Sequence, residues 1–175
     1  MTISDEELVR RCRARLRAAL PDPPATLEQV RTALQDHRGR AIDLVVAEPD
    51  GLTLPSGLWL QLRDRDVVWV DRRTSPMHRT VVACHEFGHM VCGHEPASFD
   101  EQAAESLRTP IQTLAGEKLR LSPAHITAIM GRCGEAHPPG SPDWLREREA
   151  EITGHLLAQR LLRHRGGFAR SLDGL

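Results

Sequence analysis

The sequence predicts an α+β domain with a short antiparallel sheet, a central helix and a long helix near the end. Three observations predict it. Period-2 apolar runs are confined to residues 41–70, two Ser-Pro helix starts follow at Ser75-Pro76 and Ser141-Pro142, and 175 residues suffice for one core. No internal repeat or low-complexity segment argues for a second unit. The reading is one domain over 1–175: residues 1–25 form an N-terminal helix and proline-rich connector, 26–165 the core, and 166–175 a flexible tail.

Ser4-x-x-Glu7 is a capping box, and Leu8, Cys12, Leu16, Ala19 and Leu20 form the apolar stripe of the helix it opens. Pro21, Pro23 and Pro24 stop that helix. A second helix starts near Thr26 and ends at Gly39, with Leu27, Val30 and Leu34 inward. Residues 41–47 alternate through Ile42, Leu44 and Val46 as a strand. Residues 58–62 and 67–70 form a hairpin around the charged turn Arg63 to Asp66. Trp59 and Trp69 fall in these strands as packing residues. The helix from Pro76 runs to a stop at Gly93, and a short helix is expected from Glu101 to Leu107. Ser122-Pro123 reads as the start of another short helix carrying Ile126, Ile129 and Met130. The last helix runs from Pro142 to about Arg165.

Composition excludes several function classes. With 23 Lys plus Arg against 24 Asp plus Glu, the net charge of -1 offers no general attraction to nucleic acid or acidic lipid. Arg10, Arg11, Arg13, Arg15 and Arg17 share the first helix, but Asp5, Glu6 and Glu7 offset them. A nucleic-acid reading requires these arginines to cluster with others on one folded surface, and direct nucleic-acid binding is not expected. There is no export signal and no apolar run of ~20 residues, so a cytoplasmic setting is expected, without membrane insertion. Cys12, Cys84, Cys92 and Cys133 form no C-x-x-C pair and read as reduced thiols. Nine His stand against three Trp, three Phe and no Tyr, which directs attention to imidazole chemistry.

That chemistry is concentrated in His85-Glu86-Phe87-Gly88-His89, an H-E-x-x-H run inside the central helix. Residues four apart lie one turn along the same face, so both imidazoles can meet one metal ion, with Glu86 beside them. Two neutral imidazoles and an open position suit catalytic Zn2+. Such an ion lowers the pKa of water to roughly 7 and polarises a carbonyl, and Glu86 would be the catalytic base. Chance yields about three such pentapeptides per hundred chains of this composition, so position in a helix behind a hairpin matters as much as the motif. A third ligand is needed. The H-E-x-x-H-x-x-G-x-x-H pattern fails, because Cys92 and Glu95 stand where it needs glycine and histidine. His94, just past Gly93, reads as a helix-end residue. On the last helix Glu149 lies within about 60° of Leu145, Ile152 and Leu156. A carboxylate on such a stripe must be paired or bind metal, so Glu149 is the expected third ligand. An arginine partner such as Arg146 is the competing explanation, and Glu147 and Glu151 stay open as alternative ligands.

His85 to His89 continuing to Gly93-His94, followed by Glu147-x-Glu149-Ala150-Glu151 before a Leu-rich helix, resembles the ImmA/IrrE-type metallopeptidases. Arg38 to Ile42 and Ser56 to Trp59 are similar to the strands before the motif in actinobacterial members of single-domain type. The resemblance implies a zincin-like minimal metalloprotease domain that binds one Zn2+ through His85, His89 and Glu149, with Glu86 as base. It further implies cleavage of a helix-turn-helix repressor, usually encoded nearby. The family's E-A-N-x-F-A stretch is replaced here by Glu149-Ala150-Glu151-Ile152-Thr153-Gly154. The expected function is thus hydrolysis of a peptide bond in a cytoplasmic protein, with substrate held by strand addition to an edge strand of the hairpin. The alternative is a non-catalytic zinc-fold regulator that binds a repressor or toxin partner. Without Tyr, any side-chain donor to an oxyanion must be His94, His125, His137, His155 or an arginine.

Overall fold

The computed structural model describes residues 3–48, 55–98, 126–130 and 137–163. Four helices and five strands lie in these segments. They are α1 (Asp5–Ala19), α2 (Leu27–Arg38), β1 (Ala41–Ala47), β2 (Gly57–Leu62), β3 (Arg65–Asp71), α3 (Pro76–Cys92), β4 (Ala97–Ser98), β5 (Ile126–Met130) and α4 (Pro142–Arg163). The expected helix from Glu101 to Leu107, Cys133 and the segment 166–175 lie outside the described residues.

The helix ends follow their local chemistry. Ser4, Thr26 and Ser75 each accept a backbone N–H three residues on, satisfying a donor that the first turn leaves open. Gly39 and Gly93 close α2 and α3 at φ +63° and +70°, a left-handed conformation that glycine adopts without penalty.

The sheet order is β1-β3-β2-β5-β4. The β2–β3 hairpin is antiparallel as expected, with Trp59 opposite Val68 and Leu58 opposite Trp69. The sheet as a whole is mixed, because β1 runs parallel to β3. Alternation identifies a strand and a tight turn fixes its hairpin partner, but neither specifies which neighbour β1 takes. Both hairpin strands are consequently interior, and the described edges are β1 and β4. The expected helix after Ser122-Pro123 is instead β5, paired with β2 and β4. Ile126, Thr127 and Ile129 are β-branched, and five residues are too few for apolar spacing to separate strand from helix.

The edge at β1 is occupied at Ile42. Gln35 accepts the Ile42 backbone N–H at 2.9 Å and Arg31 donates to its carbonyl at 2.9 Å, so α2 occupies hydrogen-bonding groups that an added strand would use. Asp66, read as part of the turn, lies within β3 and is fully buried. Arg40 Nε reaches it at 2.9 Å and Arg38 Nη2 at 3.0 Å, with the Arg38 guanidinium also 5.1 Å over the Trp59 ring. These two arginines supply the partners that a buried carboxylate requires.

Trp59, Val68 and Val70 join Ile42, Phe87, Val82 and Leu157 in the main core between sheet and helices. Trp69, Leu58 and Ala47 form a smaller cluster with Val45. Both tryptophans are therefore packing residues. Helix α4 lies along α3 at close range, since Gly88 and Gly154 leave the space a Cβ would occupy.

Candidate metal centre

Helical spacing brings His85 and His89 onto one face of α3, with their Nε2 atoms 3.1 Å apart. Glu147 of α4 meets them, one carboxylate oxygen 3.5 Å from His85 Nε2 and the other 3.6 Å from His89 Nε2. A tetrahedral ion with bonds of about 2.0–2.2 Å spaces its ligand atoms about 3.3–3.6 Å apart, so this donor set has the chemistry and nearly the dimensions for Zn2+. Burial and the neighbouring His85 push His89 down to about 3, which keeps its imidazole neutral. Burial raises Glu147, but hydrogen bonding to His85 and the surrounding histidines more than offset it and hold its carboxyl below the ordinary carboxylate value.

Glu149 does not join this group. It is buried with Cys92 and His94 in a second one, and the carboxylate that lies beside His85 and His89 is that of Glu147. Glu149 is buried as expected, although the stripe of Leu145, Ile152 and Leu156 is only half-buried and the fully buried side of α4 runs through Ala150, Thr153, Leu157 and Leu161. His94 Nε2 lies 2.9 Å from Glu149 Oε2, Arg11 Nε donates to Oε1 at 3.1 Å, Arg11 Nη2 also bonds Oε1, and Arg15 Nη1 lies 3.1 Å from Oε1. Burial raises the Glu149 pKa, but His94, Arg11 and Arg15 together hold it below the usual carboxylate range. The competing arginine explanation was right in kind, with Arg11 and Arg15 in place of Arg146. Glu147 is half-buried and lies on the far side of α4 from Leu145, Ile152 and Leu156, but within about 80° of the buried Ala150, Leu157 and Leu161, so a stripe drawn through Leu145 pointed away from it.

His94 is a helix-end residue, as expected, but a buried one. Its Nδ1 lies 2.9 Å from His89 Nδ1, linking the two groups. Glu86 is buried on α3 against β2. A Cβ built on Gly57 would stand 3.0 Å from Glu86 Oε1, so glycine at the start of β2 is what lets strand and carboxylate approach. Glu151 is exposed and pairs with Arg148, and His155 bonds Gln159. His125 lies outside the described residues. Cys12 and Cys92 are buried free thiols packed against the Glu149 carbonyl, each 3.8 Å away, and Cys84 is buried too.

Beside His85 a groove of about 600 Å³ runs between α1, α3 and α4, walled by Val81, Arg13, Arg148 and His155 among others. Arg13 and Arg17 do meet Arg160 and Arg163 around a smaller cavity of about 200 Å³, but its lining holds none of the aromatic side chains on which single-stranded bases stack. Among the described residues, no helix is long and apolar enough to cross a membrane.

Residues 44–119 match the family of IrrE N-terminal-like domains, Peptidase_M78. That span includes most of β1, the hairpin and all of α3, and leaves out α1 and α4. No curated protein and no solved structure matches the chain.

Proposed function

We propose that this chain, a member of the IrrE N-terminal-like peptidase family through its residues 44–119, is a zinc-dependent endopeptidase acting on a protein substrate. The observation that carries the reading is the triangle of His85 Nε2, His89 Nε2 and Glu147, with edges of 3.1–3.6 Å on two closely packed helices. His85, His89 and Glu147 would hold the ion, in place of the set with Glu149. Zn2+, when bound, supplies Lewis-acid polarisation of the scissile carbonyl and acidifies water. Glu86, one residue from His85, accepts the proton of the attacking water and delivers it to the departing amine, which leaves neutral. The buried setting of Glu86 against Gly57 restricts where that carboxylate can point. Of the three donors, His85 lines the groove between α1, α3 and α4.

A cytoplasmic helix-turn-helix repressor is the substrate we infer, on the resemblance set out above. Strand addition to the hairpin is no part of this reading, since both its strands are interior. The test is cleavage of candidate repressors by the Zn2+-loaded chain and by Glu86→Gln. The variant should bind Zn2+ as well as the wild type and lose turnover. Undiminished cleavage in Glu86→Gln would sink the mechanism, and a wild-type chain that binds Zn2+ and its repressor without cutting it would favour the regulator alternative.

A further inference from the structure

The two groups of side chains are joined by a hydrogen-bond chain whose direction is fixed from one end. Glu149 is a carboxylate flanked by Arg11 and Arg15, and an ionised carboxylate only accepts. At 2.9 Å from Glu149 Oε2, His94 Nε2 must therefore carry the hydrogen. A neutral imidazole has one donor and one acceptor, which leaves His94 Nδ1 as the acceptor. His89 Nδ1, 2.9 Å away, must then donate. The remaining nitrogen of His89, Nε2, is left with a bare lone pair, and it is this atom that faces His85 Nε2 and Glu147.

We propose that Arg11, Arg15, Glu149 and His94 are positioning residues that set the His89 ring in its metal-ready tautomer before any ion arrives. The inference rests on the reading of His85, His89 and Glu147 as a metal site and extends it to α1, which lies outside the family match. The orienting group for a metal-binding histidine is commonly a single carboxylate or carbonyl. Here a second imidazole is inserted between ligand and carboxylate, and the carboxylate is held by a different helix. The inner links are sheltered, with His89, His94 and Glu149 each no more than 8% exposed, so water competes weakly for these bonds, while Arg11 and Arg15 are part-exposed at the outer end. Helix α1 thus acts on the site at a distance of two side chains, without contributing a ligand.

The direct experiment uses the full, metal-free chain. Two-dimensional 1H–15N NMR of the imidazole nitrogens reads each ring's tautomer. The expected result is His89 with its hydrogen on Nδ1 and His94 with its hydrogen on Nε2. A His89 ring carrying its hydrogen on Nε2 overturns the proposal, and this reading needs no variant. The second measurement is competition for Zn2+ against a chromophoric chelator. Glu149→Ala, and Arg11→Gln combined with Arg15→Gln, should each weaken Zn2+ about 10- to 100-fold while circular dichroism stays that of the wild type, the usual cost of losing such a partner. Folded variants with unchanged affinity would overturn it as well. A wild-type chain that binds no Zn2+ defeats the peptidase reading instead, and because the tautomers are read without metal, the two failures are distinct.

Discussion

Gly88 on α3 and Gly154 on α4 face each other where the two helices pack at close range. A Cβ on Gly88 would stand 2.6 Å from the Ala150 carbonyl oxygen and 3.1 Å from the Gly154 nitrogen, and one on Gly154 would stand 2.9 Å from the Cys84 oxygen. These are backbone atoms, so relief requires the helices to part. Gly154→Ala should cost about 1–3 kcal/mol, the usual range for overpacking. It should also weaken Zn2+ binding, because Glu147 rides on one helix and the histidines on the other. Denaturant titration and chelator competition test both, and a variant with wild-type stability would show that the contact yields easily.

Gly57→Ala tests the seat of Glu86. Its methyl would fall 2.3 Å from Val82 Cγ1 and 3.0 Å from Glu86 Oε1. Displacing a proton-transfer group by about 1 Å can cost about 100-fold in rate. We expect kcat to fall by about 10- to 100-fold with Zn2+ affinity held near that of the wild type. Loss of Zn2+ in step with kcat would place the effect on the ligands instead.

Asp66→Ala should be severe for a residue so far from the site. It removes the shared partner of Arg38 and Arg40 and leaves two cations facing a buried gap. Breaking a buried pair in this way typically costs about 3–5 kcal/mol. Equilibrium unfolding in urea measures it. A loss below about 1 kcal/mol would mean that water reaches the arginines after the change.

The metal-free chain should lose stability on mild acidification, before ordinary carboxylates titrate. His89 is pushed down to about 3, by burial first and His85 second, against about 6.5 in the unfolded chain. The unfolded state takes up a proton that the folded state refuses, so this contribution is complete above about pH 6.5 and is lost as pH falls toward 3. At pH 5 the loss from His89 is about 2 kcal/mol, and His94, also lowered by burial, acts in the same direction. Thermal unfolding of chelator-treated protein between pH 7.5 and 5 measures the slope. His89→Gln should flatten it, and an equal slope in that variant would remove His89 as its source.

Much of the architecture was legible because local chemistry dictated it. Ser4, Thr26 and Ser75 announced helix starts, Gly39 and Gly93 announced ends, and the hairpin followed from its alternation. What failed was information carried between elements. The parallel partner of β1 and the strand at Ile126–Met130 depend on neighbours that no local pattern names. The H-E-x-x-H pair was readable because its spacing lies within one helix. That Glu147 and not Glu149 lies beside them was not, because the burial of Glu149 had two explanations, and the arginines that pair with it lie on α1. The same separation hid the role of His94, which looked like a mere helix terminus.

The Arg11–Glu149 pair spans 138 positions of the chain. During synthesis the histidine helix is complete by residue 92, about fifty residues before the helix that supplies Glu147 and Glu149 begins. A ribosome-bound intermediate thus carries two imidazoles and a base, with no carboxylate to complete the triangle and nothing to fix the His89 ring. The order of the elements delays assembly of the His85–His89–Glu147 group until α4 has been made.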